Sequence, residues 1–474
     1  MTLTHLGGSL LTGLVLAIVG LSSAAPARAL TLQVGPGRTY TTVSAAIAAA
    51  GDGDVIEIDA GVYAGDIATI TANDLTIRGV GGFAHLDAAG TTISNGKAIW
   101  VQQGMNLSIE NIEMSGASVP DQNGAGIRTE ATGLTVTRCY FHDNENGILG
   151  GITDSDIVVD SSEFTNNGFG DGYSHNIYIG RARSLTVRGS WFHHARIGHE
   201  LKSRASINVL MGNRFSNEDG TASYEIDLPE GGLALILGNA IQQGENTDNS
   251  VIVTFAEESQ SWPTQELYVV HNTIVNDRAA GGTFVRYAGA PTVLLQNNLF
   301  IGAGTVLGGS GGTVTMDANL TMATYPFVDR AGYDYHLLAG SPAIDAATPT
   351  GTGGGMLLVP GLEYVHPAMH RVRTSVGGVL DVGAFEYGSA PIDVDAGTPG
   401  DDGGTPPPVD GGGVARDGGT TPGTDGGAPV PADDGGCGCR IAGARPSSGS
   451  FAVLAALVCA LGALRLGRAR RRVR

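Results

Sequence analysis

The sequence predicts an all-β fold: one chain wound into a parallel β-helix, a solenoid. A turn-rich composition and an internal repeat about one coil long carry that prediction. Glycine supplies 74 of the 474 residues and aromatics only 6%, which favours short elements and many turns over a helix bundle. A six-residue pattern then recurs: an aliphatic residue, two variable positions, a small or amide residue, one variable position and a large apolar residue. It reads VTRCYF at 136–141, VDSSEF at 159–164, VRGSWF at 187–192, LMGNRF at 210–215, ILGNAI at 236–241, VVHNTI at 269–274 and LQNNLF at 295–300. A looser copy, IENIEM, occupies 109–114. Successive copies begin 23 to 33 residues apart, a period that marks a repeat architecture. Short alternating apolar stretches between Gly, Asn and Asp clusters make the elements strands.

The repeat assigns roles to its positions. Cys139, Ser162, Ser190, Asn213, Asn239, Asn272 and Asn298 are predicted to stack at one inward corner. Amide side chains there can bond to one another and to turn backbone. The large residue two places on, such as Phe141, Phe192 or Phe215, fills the core. Cys139 thereby reads as a small core residue and not a reactive thiol.

TYTTVSAAIAAAGDGDVIEIDAGVY, at 39–63, describes an entry to the solenoid. Thr41 or Thr42 caps a short helix with Val43, Ala46, Ile47 and Ala50 on its apolar face. Gly51 stops it, and residues 55–58 start the first strand. Such a helix can cover the open end that every solenoid has. This stretch resembles the N-terminal entry of exported pectate-lyase-like β-helix proteins. DYHLLAGSPAIDA at 334–346 and LDVGAFEYG at 380–388 resemble the closing segments of bacterial right-handed parallel β-helix proteins with sorting anchors. The resemblance spans roughly residues 31–388. It implies a single-stranded right-handed parallel β-helix with an N-terminal helical cap. It implies no single chemistry, because this fold carries lyases, hydrolases, esterases, adhesins and proteins without enzymatic roles.

Both ends read as addresses. Residues 1–29 combine an apolar core at 10–21 with Ala27-Arg28-Ala29, the pattern of a secretory signal peptide. The β-helix domain is then expected over 30–388. Residues 389–436 are almost entirely Gly, Pro, Asp, Thr and Ala, a composition expected to form a disordered, self-repelling linker. Residues 437–474 hold Cys437 and Cys439, an apolar run at 451–464 and an arginine-rich end. That order resembles the MYXO-CTERM sorting signal of myxobacterial surface proteins, whose key residue is a cysteine, here Cys437 or Cys439. The apolar run is short for a membrane span, and a plain C-terminal membrane anchor is the other reading. These segments predict an exported chain at the cell envelope or surface, reaching the membrane through its C-terminal segment. The net charge of −19 argues against nucleic acid as a partner, and four cysteines are too few for a disulfide framework. A monomeric β-helix is expected.

The richest polar stretch is IGHELKSRA at 197–205. Aligning NIYIG at 176–180, HELKS at 199–203, YEIDL at 224–228 and IVTFA at 252–256 by strand alternation gives two outward columns. One is Tyr178, Lys202, Asp227 and Thr254; the other is Asn176, Glu200, Glu225 and Ile252. Lys202, Arg204 and His199 are the candidate catalytic residues, with Lys202 or Arg204 as base. Tyr178, Arg181, His175 and Asn176 are the candidate substrate contacts. Glu200, Glu225 and Asp227 are candidate ligands for Ca²⁺, which takes oxygen donors. Residues 202–220 also resemble the lysine-bearing turn of alginate and chondroitin lyases of this fold, in which a Lys is the base and an Arg one turn on is the acid. Here Asp227, Leu228 and Pro229 stand at that place instead. Carboxylates beside Lys202 also keep its pKa high. His193-His194 reads as a solvated corner. His366 and His370 have helical metal-site spacing, but Pro367 opposes a helix there. The favoured function is therefore a surface protein that binds polysaccharide or extracellular matrix along a β-helix face. The alternative is a uronate lyase acting by β-elimination near Lys202.

Overall fold

A computed structural model of the chain describes residues 28–389. The chain is a parallel β-helix of three strand stacks. The first face holds strands such as Ser184–Arg188, the second such as Trp191–His193, and the third such as Leu201–Ser203. The long strands Val55–Ala64 and Thr76–Asp87 turn the corner between the first two faces, joining them into one 21-stranded sheet. The third face is a separate 10-stranded sheet. The sequence segments 1–27 and 390–474, with Cys437 and Cys439, lie outside the described residues.

The corner between the first and second faces explains the six-residue repeat. Arg138, Ser161, Gly189, Gly212, Gly238, His271 and Asn297 all take left-handed backbone, with φ from 49° to 63°, and each immediately precedes a predicted corner residue. That turn drives the next side chain inward. Asn213 N–H donates to Asn239 Oδ1 at 2.9 Å, Asn239 to Asn272 at 2.9 Å and Asn272 to Asn298 at 2.9 Å. Each Nδ2 also donates to a carbonyl of the preceding coil, as from Asn239 to Leu210 O at 2.9 Å. Ser190, Ser162 and Cys139 continue the ladder towards the N-terminus, and Asn319, which the repeat did not reveal, extends it at the other end. Behind the ladder, Phe141, Phe164, Phe192 and Phe215 stack with ring centroids 4.7–5.1 Å apart. Cys139 is buried, and desolvation pushes its thiol up to about 12, as a core residue requires.

The helix runs Val43–Ala49 with Thr42 as its N-cap and buries Val43, Ala46 and Ile47. A second cap comes from Asp66, whose carboxylate accepts from the backbone N–H groups of Val43 and Ser44. The first strand is Thr31–Val34, ahead of the helix, and it pairs with residues 55–58; the sequence reading starts one strand too late. The closing segments also differ from expectation. Residues 327–389 form short antiparallel pairs that run back along the flank of the solenoid. Thr348 N–H donates to Asn297 Oδ1, Ala384 N–H to Thr273 Oγ1, and His370 reaches Asp160 at 3.2 Å. The last first-face strand, Thr313–Asp317, stays exposed at every position.

A second interior column overturns part of the predicted site. Asn144 N–H donates to Asn167 Oδ1 at 3.1 Å, and Asn167 to Asn176 Oδ1 at 3.2 Å. Asn176 donates in turn to Glu200, which also accepts from Ala195 N–H at 3.0 Å. Glu225 follows on the next coil, with neither carboxyl oxygen hydrogen-bonded. Asn176, Glu200 and Glu225 are wholly buried. They stand just before the three-residue strands Ile177–Ile179, Leu201–Ser203 and Ile226–Leu228, at a corner where strand alternation does not yet apply. Glu200 and Glu225 therefore do not join Asp227 in a Ca²⁺ site, and Asn176 is not a substrate contact. Burial pushes Glu200 up to about 8, and burial together with the neighbouring Glu200 raises Glu225 well above the carboxylate range. Burial thus favours the neutral, protonated form of both.

Two outcomes follow from these columns. Asn239→Ala strands the N–H of Asn213, takes one of the two acceptors of Asn213 Nδ2 and removes the amide donor to Leu210 O. It should cost about 3 kcal/mol or more, whereas Thr313→Ala on the exposed last strand should cost little. Thermal melts of both variants check this; an unchanged melting temperature for Asn239→Ala would remove the ladder's role. The buried acids set a pH dependence. Their folded pKa values exceed the unfolded value of about 4.3, so the native state binds more protons. Their contribution is complete below about pH 4 and is lost as pH rises towards about 8 and beyond. Glu225→Gln should raise the melting temperature at pH 8 and change it little at pH 4.5. Equal shifts at both pH values would show that Glu225 does not titrate as buried.

Candidate functional site

The third face carries the polar cluster. Register confirms one predicted outward column: Tyr178 lies opposite Lys202, Lys202 opposite Asp227, and Asp227 opposite Thr254. Asp227 is held on all sides. Its Oδ1 accepts from Thr254 Oγ1 at 2.7 Å, and its Oδ2 lies 2.9 Å from Lys202 Nζ and 3.4 Å from His199 Nε2. The lysine ammonium thus occupies the place a cation would take beside Asp227, and these residues do not fit a Ca²⁺ site.

Arg204 projects beside this column. Its Nε donates to the Tyr178 hydroxyl at 2.8 Å, and its other nitrogens pair with Glu230 at 3.0 Å and Glu258 at 2.6 Å. Glu258 also lies 3.3 Å from Lys202. Arg181, the most exposed of the three cations, pairs with Glu230 at 2.7 Å. Lys202 Nζ and Arg204 Cζ stand 5.9 and 5.8 Å from the Tyr178 ring centroid, within cation–π range. Three cations thus meet three carboxylates around one aromatic ring.

The pKa directions separate the candidates. Burial opposes the charge on Lys202, but Asp227 and Glu258 outweigh it and hold the pKa above the usual lysine value. Burial likewise opposes the charge on Arg204, while the bonds to Tyr178 and Glu258 raise its pKa. Neither is a proton acceptor near neutral pH, which counts against the base role that either was expected to fill. His199 behaves differently. Burial and then repulsion from Lys202 drive its pKa well below the usual histidine value, so it is neutral. Its Nδ1 has no hydrogen-bond partner. His175 lies behind it, ring stacked at 4.4 Å, with Nδ1 accepting from His199 N–H at 3.0 Å. Buried in this way, His175 positions His199 and does not reach a ligand. Of the four expected substrate contacts, only Tyr178 and Arg181 reach the surface.

Glu230, Glu258, Ser261 and Trp262 were not singled out in the sequence. Three of them belong to residues 256–264, which bridge the cluster: Ser261 Oγ accepts from Arg181, and the Trp262 indole N–H donates to Arg204 O at 3.1 Å. The signal was the interval from residue 236 to 269, the longest between copies of the repeat at 33 residues, which marks an inserted loop. Elsewhere, His193 is covered and not a solvated corner. It stacks on Trp191 at 3.8 Å and bonds to Thr165 and Glu163. His366 and His370 flank a hairpin turn between Leu362–Val365 and Met369–Val372, so no helix presents them.

Among known proteins, the family described as right handed beta helix region matches residues 60–242. No curated protein sequence matches. Three solved structures share 13–14% identity with the chain. Pectate lyase Pel9A aligns over 76% of this chain and 96% of its own, with a TM-score of 0.43. ORF18 of Geobacillus virus E2 aligns over 56% and 53%, with 0.33. The A-module of the Azotobacter vinelandii mannuronan C-5 epimerase AlgE6 aligns over 59% and 93%, with 0.30. The fold established by the strand register and by the family match is the right-handed parallel β-helix.

Proposed function

We propose that the third face around Tyr178, Lys202 and Arg204 binds polysaccharide. The observation that carries this reading is the pre-organised mixture of an aromatic ring, cations and carboxylates on successive coils. Coils repeat about every 4.8 Å, so an extended glycan lying along the axis meets a new side chain at each step. Sugar rings present an apolar C–H face, which suits Tyr178. Their hydroxyls both donate and accept, which suits a cluster where ammonium and guanidinium donors alternate with Asp227, Glu230 and Glu258 as acceptors. Ion pairs already hold these groups, so binding costs little ordering entropy. The balanced cluster on a chain of net charge −19 favours a hydroxyl-rich glycan over a dense polyanion.

The neutral state of His199 favours a second reading, β-elimination on a uronate. In it His199, and not Lys202, takes the proton α to the carboxylate, while Lys202 and Arg204 stabilise the charge that develops. Export and surface display remain part of the proposal. They rest on residues 1–29 and on Cys437, Cys439 and the tail after them, and mass spectrometry of the secreted chain's termini checks them.

A glycan array probed with the chain and with Tyr178→Ala separates these readings from a purely structural network. Binding should fall about tenfold or more in the variant. No retained glycan, neutral or acidic, would overturn the proposal. With pectate, alginate and chondroitin, a rise in unsaturated-uronate absorbance that vanishes in His199→Ala would establish the elimination; a flat trace would leave binding alone.

A further inference from the structure

The second face carries a separate cluster, away from the glycan face. His85 and Glu113 lie directly opposite each other on adjacent coils, and Tyr140 follows Glu113 on the next. His142, two residues beyond Tyr140, reaches back to the same place. Its Nε2 lies 3.0 Å from Glu113 Oε1, and His85 Nδ1 lies 3.6 Å from the same oxygen. The ligand-capable atoms of all three residues fall within 4.8 Å of one another.

The outer nitrogens of the two rings decide what this convergence means. His142 Nδ1 lies 2.9 Å from Asp143 Oδ2. His142 Nε2 bonds to Glu113 Oε1 in the same way. Both partners are carboxylates, which only accept, so both ring nitrogens donate. A metal ion that displaces the Nε2 proton leaves Nδ1–H on Asp143. His85 Nε2 lies 2.8 Å from Ser115 Oγ, whose hydroxyl donates to Asp87 Oδ1 at 3.4 Å. Ser115 therefore accepts from His85 Nε2–H, leaving a lone pair on Nδ1. His85 Nδ1, Glu113 Oε1 and His142 Nε2 thus converge on one point, where a cation can take the place of the bridging His142 proton. The remote bonds to Asp143 and Ser115 are the outer contacts that fix the tautomer of metal-bound histidines. Tyr140, stacked on His142 with centroids 4.4 Å apart, holds that ring in place.

We propose that His85 Nδ1, Glu113 and His142 Nε2 bind a divalent transition-metal ion of the zinc class. Ligands about 2.0–2.2 Å from a tetrahedral zinc stand about 3.4 Å apart, which the observed 3.0 and 3.6 Å approach. Two imidazoles and one carboxylate suit such an ion and not Ca²⁺ or Mg²⁺, which take oxygen ligands. About a fifth of each side chain remains exposed, so a fourth position opens to solvent, where water completes the shell. This is the arrangement of an accessible site and not of a closed structural one.

The test is zinc titration of the chelator-stripped full chain, without a histidine tag, by calorimetry at pH 7.5. Wild type should bind Zn²⁺ at this site, and excess Ca²⁺ should not displace it. Glu113→Gln and His142→Ala should each lose the site or weaken it at least tenfold. Asp143→Asn should weaken it about 10- to 100-fold. His370→Ala, on the flank segment, should bind as wild type does. Melting curves with and without Zn²⁺ give a second readout, because a metal that binds only the native state raises the melting temperature. That rise should appear in wild type and be absent in a folded Glu113→Gln variant. Wild-type zinc affinity in both Glu113→Gln and His142→Ala would overturn the proposal. So would failure of wild type to bind zinc, which would leave a proton on His142 as the bridging charge.

Discussion

The coils from Asn213 to Asn319 depend on one buried interaction, the amide at the corner between the first and second faces, and Ser190, Ser162 and Cys139 extend the ladder through the coils before them. A left-handed residue turns the chain there and exposes backbone groups to an apolar interior, where unpaired they would be costly. The inward Asn satisfies its own coil and the next at once: Asn239 accepts from Asn213 and donates to Asn272 and to Leu210 O. Because the bonds run along the axis, they lock each coil in register with its neighbour. That register in turn stacks the phenylalanines behind the ladder and fixes which outward side chains meet on the other two faces.

This constraint also decides what could be read from the sequence. The corner amides occupy one fixed place in a six-residue pattern, so they were legible, and so were the outward neighbours Tyr178, Lys202 and Asp227. Asn176, Glu200 and Glu225 were misplaced because they precede strands of only three residues. Period-two alternation holds within a strand; at a corner the backbone can send a residue and its neighbour to the same side. Ile252 and Val253, both buried in the core, show the same double inward turn on the next coil. The flank segment 327–389 escaped for a different reason. Its motifs resemble closing segments, but its position is set by contacts such as His370 with Asp160, 210 residues apart, which no local pattern encodes.

Charge balance distinguishes the two outward clusters. On the third face each carboxylate already has a lysine or arginine: Asp227 has Lys202, Glu230 has both Arg181 and Arg204, and Glu258 has Lys202 and Arg204. Such a network is stiff and nearly neutral. It can exchange some of its hydrogen bonds for those of a hydroxyl-rich chain without stranding a charge, but it has no vacancy for a metal cation.

On the second face the balance runs the other way. The partners of Glu113 are His85 and His142, whose outer ring nitrogens are held by Ser115 and Asp143. Parallel coils make this possible: His85, Glu113 and His142 are distant in sequence, yet the stack delivers their side chains to one spot on three successive coils. The same axial register of parallel coils thus builds a charge-balanced network on one face and a cluster of metal-ligand side chains on another. The interior ladders keep the two apart, so a ligand's chemistry on either face need not disturb the other.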